Sequence, residues 1–213
     1  MTIVISRLYD DYATAQQVVR DLESAGLRSN DISIVASNAD NWYEPAAGKR
    51  KIADRKDTDH DGTDDRVEGA EAGAGIGAAV GAAGGLLAGL GLLAIPGIGP
   101  VVAAGWLAAT ATGAVAGGAA GGAIGALTQA GISKDDAPVY AEGLRRGGTL
   151  VTARVPAGDR SRYESILSRA SVNIAQRSAA YRESGWTGFD ETAAPYGTDE
   201  VRRERELYRN TAN

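Results

Sequence analysis

The spacing of hydrophobic and polar residues at the start of the chain predicts a strand, a helix and a second strand. Residues 2–6 form a short β-branched run, and apolar and polar positions alternate in residues 31–36. Between them, apolar residues recur at the spacing of an amphipathic helix; they are Ala15, Val18, Val19 and Leu22. Gly26 is placed to end that helix. Residues 1–37 are therefore predicted as the first half of an α+β domain.

A similar pattern resumes after residue 132. It predicts a short helix with Ser133 or Asp135 as its N-cap, a strand at 150–155, a helix at about 160–170 and a final strand at 172–174. With the extra helix set aside, the order βαββαβ is that of a ferredoxin-like α+β sandwich. Residues 133–176 are its predicted second half. Residues 177–213 are predicted as a tail that ends in a charged helix, and its aromatic residues are predicted to pack the tail against the domain.

The insertion between the halves has a polar part, residues 38–71, and an apolar part, residues 72–132. No Asp, Glu, Lys or Arg lies between Ala72 and Ser133. The Pro- and Gly-containing run 95–100 breaks a helix and divides the apolar part into arms 72–95 and 101–130. A helix over the first arm is about 36 Å long, enough for a hydrocarbon core of about 30 Å. The sequence therefore predicts an antiparallel helical hairpin.

Glycines at four-residue intervals are the most specific feature of both arms. Residues four apart share one helix face, and a face without side chains permits close helix packing, as in membrane GxxxG pairs. The predicted helix-packing interface consists of Gly73, Gly77, Gly81, Gly85, Gly89, Gly113, Gly117, Gly121 and Gly125. This pattern indicates a homo-oligomer. It leaves three settings open: a hairpin that spans or re-enters a bilayer, a hairpin buried in a soluble protein or in a core shared between subunits, and a flexible linker.

Basic residues flank the hairpin on both sides. The upstream group lies in residues 49–56, and the downstream group is Lys134, Arg145 and Arg146. By the positive-inside rule, both flanks face the cytoplasm and the hairpin contacts lipid of the inner membrane. The chain opens on a predicted strand and shows no signal-peptide pattern. The alternative location is the cytoplasm.

An acidic loop in the polar part matches the twelve-residue calcium-loop pattern. Acidic side chains and one backbone carbonyl supply hard oxygen ligands, and Gly62 permits the sharp turn. The candidate ligands for Ca²⁺ are Asp57, Asp59, Asp61, Thr63, Asp65 and Glu68. The alternative is a solvated acidic linker that balances the lysines before it.

Composition excludes several classes of function. The chain has no cysteine and a single histidine, so thiol catalysis, cysteine zinc sites and metal sites with two histidine ligands cannot be built from it. The formal net charge of −5 argues against nucleic acid as a partner. No small-molecule substrate is indicated, and the chain is predicted not to be an enzyme.

Two segments resemble the bacterial general stress protein 17M-like domain family. One runs from Leu8 to Val35; the other runs from Gly131 to Ala137 and continues through the pattern 144–151. The resemblance implies a stress-linked, non-enzymatic role, in a long form that carries the hairpin. The leading hypothesis is a membrane-associated general stress protein, anchored and self-associating through the glycine hairpin. The alternatives are a soluble self-assembling structural protein, whose hairpins pack in an oligomer core, and a calcium-responsive module.

Overall fold

The computed structural model describes residues 1–44, 86, 90–110 and 122–211 of the chain. Its strands are β1 (Thr2–Tyr9), β2 (Ile32–Ser37), β3 (Gly91–Ile95), β4 (Gly99–Gly105) and β5 (Thr149–Pro156). Its main helices are α1 (Tyr12–Ser24), α2 (Gly122–Gln129), α3 (Ala137–Arg145), α4 (Arg160–Leu167), α5 (Ile174–Glu183) and α6 (Thr198–Thr211).

The strands form one five-stranded sheet in the order β1-β5-β2-β4-β3, and all neighbours in it are antiparallel. Because β5 lies between β1 and β2, the β1-α1-β2 unit is a split crossover. Ile5 lies opposite Ala153, and Ile34 lies opposite Val151. The two halves of the predicted domain therefore meet in a single sheet, and the α+β class is confirmed.

Both faces of the sheet are covered. Helices α1 and α4 pack with the face that carries Ile5 and Ile34, whereas α2 and α3 pack with the face that carries Leu8 and Val35. Every residue of β2 is buried as a result. The four apolar positions predicted for α1 are all buried, and the helix ends in a Schellman motif at Gly26, whose φ is +91°.

The prediction that the apolar arms are helical up to the proline-glycine turn is wrong for the described residues. Residues 91–95 and 99–105 form a β-hairpin, and Ile98 N–H donates to Ile95 C=O across a turn with Pro96 and Gly97 at its centre. Gly97 has a φ of +73°, as the third residue of a type II turn requires. The physical reason is tertiary: β4 satisfies the backbone of β2 along an edge that would otherwise be buried without hydrogen bonds.

Residues 122–129 of the apolar segment are helical, but they pack inside the domain. Ala126 and Leu127 of α2 lie in the same hydrophobic cluster as Ile95 of β3 and Leu144 of α3. Residues 106–110 are also helical, and Leu107 belongs to this cluster. Within the described ranges, no helix combines the length and the apolar composition needed to cross a membrane.

The predicted strand at 172–174 is also wrong. Val172 N–H makes one hydrogen bond to Leu8 C=O, at 2.8 Å, and α5 then begins at Ile174. The reason is a local cap: the Asn173 side chain accepts from Gln176 N–H and turns the chain into a helix. The described elements therefore contain three of the four predicted strands of a ferredoxin-like sheet, and the complete ferredoxin-like arrangement is not confirmed.

Candidate functional site

The predicted calcium ligands lie outside the described residues, and so do the glycines of the first arm and Gly113, Gly117 and Gly121. The calcium site and the helix-packing interface therefore stay predictions at these residues. Gly125 is described: it lies half-buried in α2, a helix that packs against α3. Among residues 1–44, 86, 90–110 and 122–211, no three His, Cys, Asp or Glu side chains come together as metal ligands.

A buried charge cluster lies at the end of α3. Glu142 is fully buried, and its carboxylate is 2.8 Å from a guanidinium nitrogen of Arg145 and 2.6 Å from one of Arg146. Arg146 also pairs with Glu204 of α6 at 3.0 Å. Burial lowers the pKa of Arg146, but the hydrogen bond and charge of Glu142, together with Glu204, outweigh burial and raise it. Arg146 therefore stays charged and lies between two carboxylates.

Two of the downstream basic residues belong to this cluster. The side chains of Arg145 and Arg146 are each only 10% exposed. Both guanidiniums are engaged inside the domain, so they are not free to sit at a lipid surface. A charged pair buried in this way is very costly to break, which makes the cluster a structural feature.

The C-terminal tail is fastened to the domain by the same cluster and by aromatic rings. The Arg146 guanidinium lies 4.4 Å from the ring centre of Tyr181, which is fully buried in α5. Burial raises the pKa of Tyr181 above its ordinary value. Arg177 stacks 3.5 Å from the Tyr208 ring centre and pairs with Asp10 at 2.7 Å. The tail is therefore part of the folded domain.

Another part of the tail crosses the turn of the β-hairpin. A Cβ atom added to Gly97 would lie 2.7 Å from Cα of Glu191, and one added to Gly99 would lie 2.6 Å from Cβ of Pro195. Both positions also have positive φ. These glycines let the tail backbone approach the turn closely, which explains why this turn has no side chain at either position.

A polar groove lies along β1, at one edge of the sheet. Its volume is about 230 Å³, and it is bordered on one side by residues 131–140 and on the other by α4. The floor is the strand itself, over residues 3–7. Among the described strands, β1 pairs only with β5, so its outer edge carries no strand partner.

Side chains from three elements meet in this groove. Tyr140 of α3 donates its hydroxyl hydrogen to Ser6 C=O at 3.0 Å, and an Arg7 guanidinium N–H donates to the same carbonyl at 2.9 Å. Glu164 of α4 accepts from Arg7 at 2.9 Å and from Arg160 at 3.1 Å. Two guanidiniums thus share one carboxylate on the α4 side, whereas Asp136 lies on the α3 side.

The protonation states in the groove do not favour acid–base catalysis. Burial raises the pKa of Tyr140 to about 12, so its hydroxyl stays protonated at neutral pH. Hydrogen bonds from Arg160 and Arg7 hold the pKa of Glu164 below its usual value, so this carboxylate stays ionised. A general base needs a pKa near the working pH, and neither group is poised there.

The sequence pattern did not reveal this groove. Arg7, Tyr140 and Glu164 lie far apart in the chain, and each appears singly in an ordinary helix or strand pattern. The available signal was the polar residues within the β1 sequence, since polar residues inside a strand predict an exposed edge.

Comparison of the chain with protein-family models, curated proteins and solved structures finds no match. The resemblance to the general stress protein 17M-like family therefore stays a prediction.

Proposed function

We propose that this chain is a non-catalytic, self-associating protein in which the α+β domain presents the glycine ladder of residues 69–89 to further copies. The observation that carries the proposal is how the domain uses the apolar segment. Residues 91–105 form two strands of its sheet, and residues 122–132 contribute to its hydrophobic cluster. The domain thus accounts for residues 91–105 and 122–132 and buries Leu86, whereas the six glycines of residues 69–89 lie outside the described residues and carry the proposed association.

The topology of the sheet supports protein contact over a bilayer-spanning hairpin. Ser37 of β2 lies opposite Val101 of β4, so the chain before and after residues 45–85 belongs to one sheet. A single membrane crossing within that interval would put these neighbouring strands on opposite sides. Leu86 is buried in the core of the domain, so only the uncharged residues 72–85 are left for a crossing. A helix of that length is about 21 Å long, shorter than a hydrocarbon core of about 30 Å.

The glycine pattern supports the choice of association element. Gly73, Gly77, Gly81, Gly85 and Gly89 share one face if the segment is helical. Each glycine inside an isolated helix in water costs about 1 kcal/mol relative to alanine. Close helix contact, which a bare face permits, offsets this cost.

Contact with a membrane surface is the second candidate. It is favoured by the lack of charge in residues 72–90, next to the basic residues of 49–56. In this candidate, the segment enters and leaves the bilayer on the same side. The stress-linked role implied by the family resemblance is compatible with either candidate, and calcium binding at residues 57–68 would add a further level of control.

Sedimentation velocity of the purified full chain, with and without Gly81→Leu/Gly85→Leu, tests the first candidate. We expect the wild-type chain to sediment as an oligomer and the double variant as a 21.8 kDa monomer. Gly158→Leu is the matched control, because a Cβ added at Gly158 meets nothing within 4 Å. A monomeric wild type, or a double variant that keeps the wild-type oligomer, refutes the proposal.

Flotation with vesicles of anionic or zwitterionic lipid, followed by an alkaline wash, tests the second candidate. Retention on the vesicles after the wash, lost in the double variant but kept in Gly158→Leu, would support membrane insertion of the ladder. Protein that stays at the bottom of the gradient with both lipids would exclude it. Isothermal calorimetry with Ca²⁺, comparing the wild type with Asp59→Asn/Asp61→Asn, tests the acidic loop; no wild-type heat refutes it.

A further inference from the structure

We propose that the groove along β1 binds a short extended peptide segment, which adds to the sheet as a further strand beside β1. This inference does not rest on the glycine ladder or on the oligomeric state. It rests on the backbone of β1, the walls of the groove and the charges that these walls present.

The backbone of β1 offers unused pairing groups to the groove. Leu8 C=O accepts from Val172 N–H, and Ser6 C=O accepts from the Tyr140 hydroxyl, so both carbonyls point away from β5. In an antiparallel strand the N–H and C=O of one residue point to the same edge, and alternate residues share that edge. The N–H and C=O groups of Thr2 and Val4, and Ser6 N–H, therefore also point to the outer edge of β1, and those of Val4 and Ser6 border the groove.

The chain itself begins strand pairing at the far end of this edge. Val172 makes the bond to Leu8, and the Asn173 cap then directs the chain into α5. The edge from Thr2 to Ser6 thus continues beyond the point where the chain stops pairing. At about 3.3 Å per residue this stretch is about 13 Å long, which matches a segment of four or five residues.

The walls of the groove favour a lone segment over the sheet of a second copy. On one side, the loop at Gly131 approaches the Val4 side chain so closely that an added Cβ would lie 3.1 Å from it. On the other side, Arg160 and Glu164 border the same cavity. The unpaired edge is therefore recessed between two walls. A second copy would bring its own walls into the same space, whereas a single extended chain has none.

The charges of the walls define the chemistry of the segment. On the α4 side, Arg7 and Arg160 share the single carboxylate of Glu164, which leaves an excess of positive charge. On the α3 side, the groove presents Asp136. Adjacent residues of a strand point to opposite faces. The segment that fits best has an acidic residue followed or preceded directly by a basic one, with the acidic side chain towards α4.

A labelled peptide tests the proposal. The probe is an acetylated and amidated hexapeptide, Thr-Val-Glu-Lys-Val-Thr, with fluorescein on an added linker, and binding to the full-length protein is followed by fluorescence anisotropy. We expect saturable binding below about 1 mM, the weak end of specific recognition. The same peptide with alternate backbone nitrogens methylated keeps every side chain but loses the pairing N–H groups, and we expect it not to bind.

Two protein variants separate backbone pairing from simple charge attraction. Val4→Pro removes an N–H that points into the groove without removing a β1–β5 hydrogen bond, and edge strands tolerate proline at such positions. We expect it to weaken binding about ten-fold, the effect of one lost hydrogen bond at the upper end of its range. Val4→Thr keeps the N–H and the shape, and we expect wild-type affinity. Circular dichroism of both variants checks that they are folded.

Each outcome decides the proposal. Loss of binding on methylation and in Val4→Pro, with retention in Val4→Thr, supports strand addition. No binding of the probe to the wild type overturns it, as does equal binding of the methylated peptide or of the Val4→Pro protein. An oligomer that disappears in Val4→Pro by sedimentation also overturns it, because a second copy would then occupy the edge. The Gly81→Leu/Gly85→Leu variant should bind the probe normally, so failure of the ladder and failure of the groove are distinguishable.

Discussion

Replacement of Glu142 by glutamine tests the buried charge cluster most directly. The substitution keeps the shape of the side chain and removes the charge that Arg145 and Arg146 share at 2.8 and 2.6 Å. Glu142 is 0% exposed, so neither water nor salt can replace the lost carboxylate. Breaking one partner of a buried ion pair costs about 3–5 kcal/mol. Because Glu204 still pairs with Arg146, we expect the lower end, about 3 kcal/mol.

Urea denaturation followed by circular dichroism measures this loss of unfolding free energy. For a domain of this size the Tm should fall by roughly 6–12 °C. Asp21→Asn is the matched control, because its pair with Arg169 is more open, with side chains 31% and 64% exposed. We expect the control to cost below about 1 kcal/mol.

A double-mutant cycle identifies the source of the effect. If the loss comes from unpaired cations, Glu142→Gln combined with Arg146→Met should cost less than the sum of the single variants, by roughly 0.5–3 kcal/mol. A Glu142→Gln loss below about 1 kcal/mol, or strict additivity in the cycle, would refute the assignment of Glu142 and Arg146 as a coupled buried ion pair.

Two further predictions concern the tail and the groove. Gly97→Ala places a residue at a φ of +73° and a Cβ 2.7 Å from Glu191, so we expect a loss of roughly 1–3 kcal/mol and faster hydrogen exchange at residues 190–195. Gly158→Ala, with open space around its Cβ, should change stability by less than about 0.5 kcal/mol, and an equal loss in both variants would contradict the close approach. The folded-state pKa of Glu164 is lowered by hydrogen bonds from Arg160 and Arg7, so its stabilising contribution is present above its ordinary pKa and is lost as the pH falls through the lowered value. Denaturation from pH 7 to pH 2 should therefore show a smaller acid-induced loss in Glu164→Gln than in the wild type, and identical pH profiles would exclude the linkage.

The predictions that depend on local periodicity agree with the structure. The helix with Ala15, Val18, Val19 and Leu22 buries all four residues, and Gly26 ends it as predicted. The strand at 150–155 and the charged helix at the C-terminus are also present. The predictions of these elements are correct because one buried face and one cap are enough to specify each element. Both features can be recognised within a short window of sequence.

The errors arise where a partner distant in the sequence decides the backbone. The sequence of residues 91–105 does not show that β2 lies beside this stretch with an unpaired edge. Glycine, alanine and leucine there predict a helix, whereas the structure has strands. At residues 172–174 one side chain decides the backbone conformation, because Asn173 caps a helix where the pattern predicts a short strand. The groove was missed for the same reason: its walls come from three separate elements.

The sequence by itself determined the element types at both ends of the chain, the position of the central turn and the absence of the residues that most catalytic sites need. Composition and short-range periodicity are sufficient for these, since each depends on residues within one or two turns of one another. Only the tertiary structure decided that much of the apolar segment is folded into the domain, that Arg145 and Arg146 are buried against Glu142, and that β1 has one strand partner among the described strands. These features depend on which surfaces meet, and a hydrophobic run has the same composition whether it meets lipid, another copy or its own sheet.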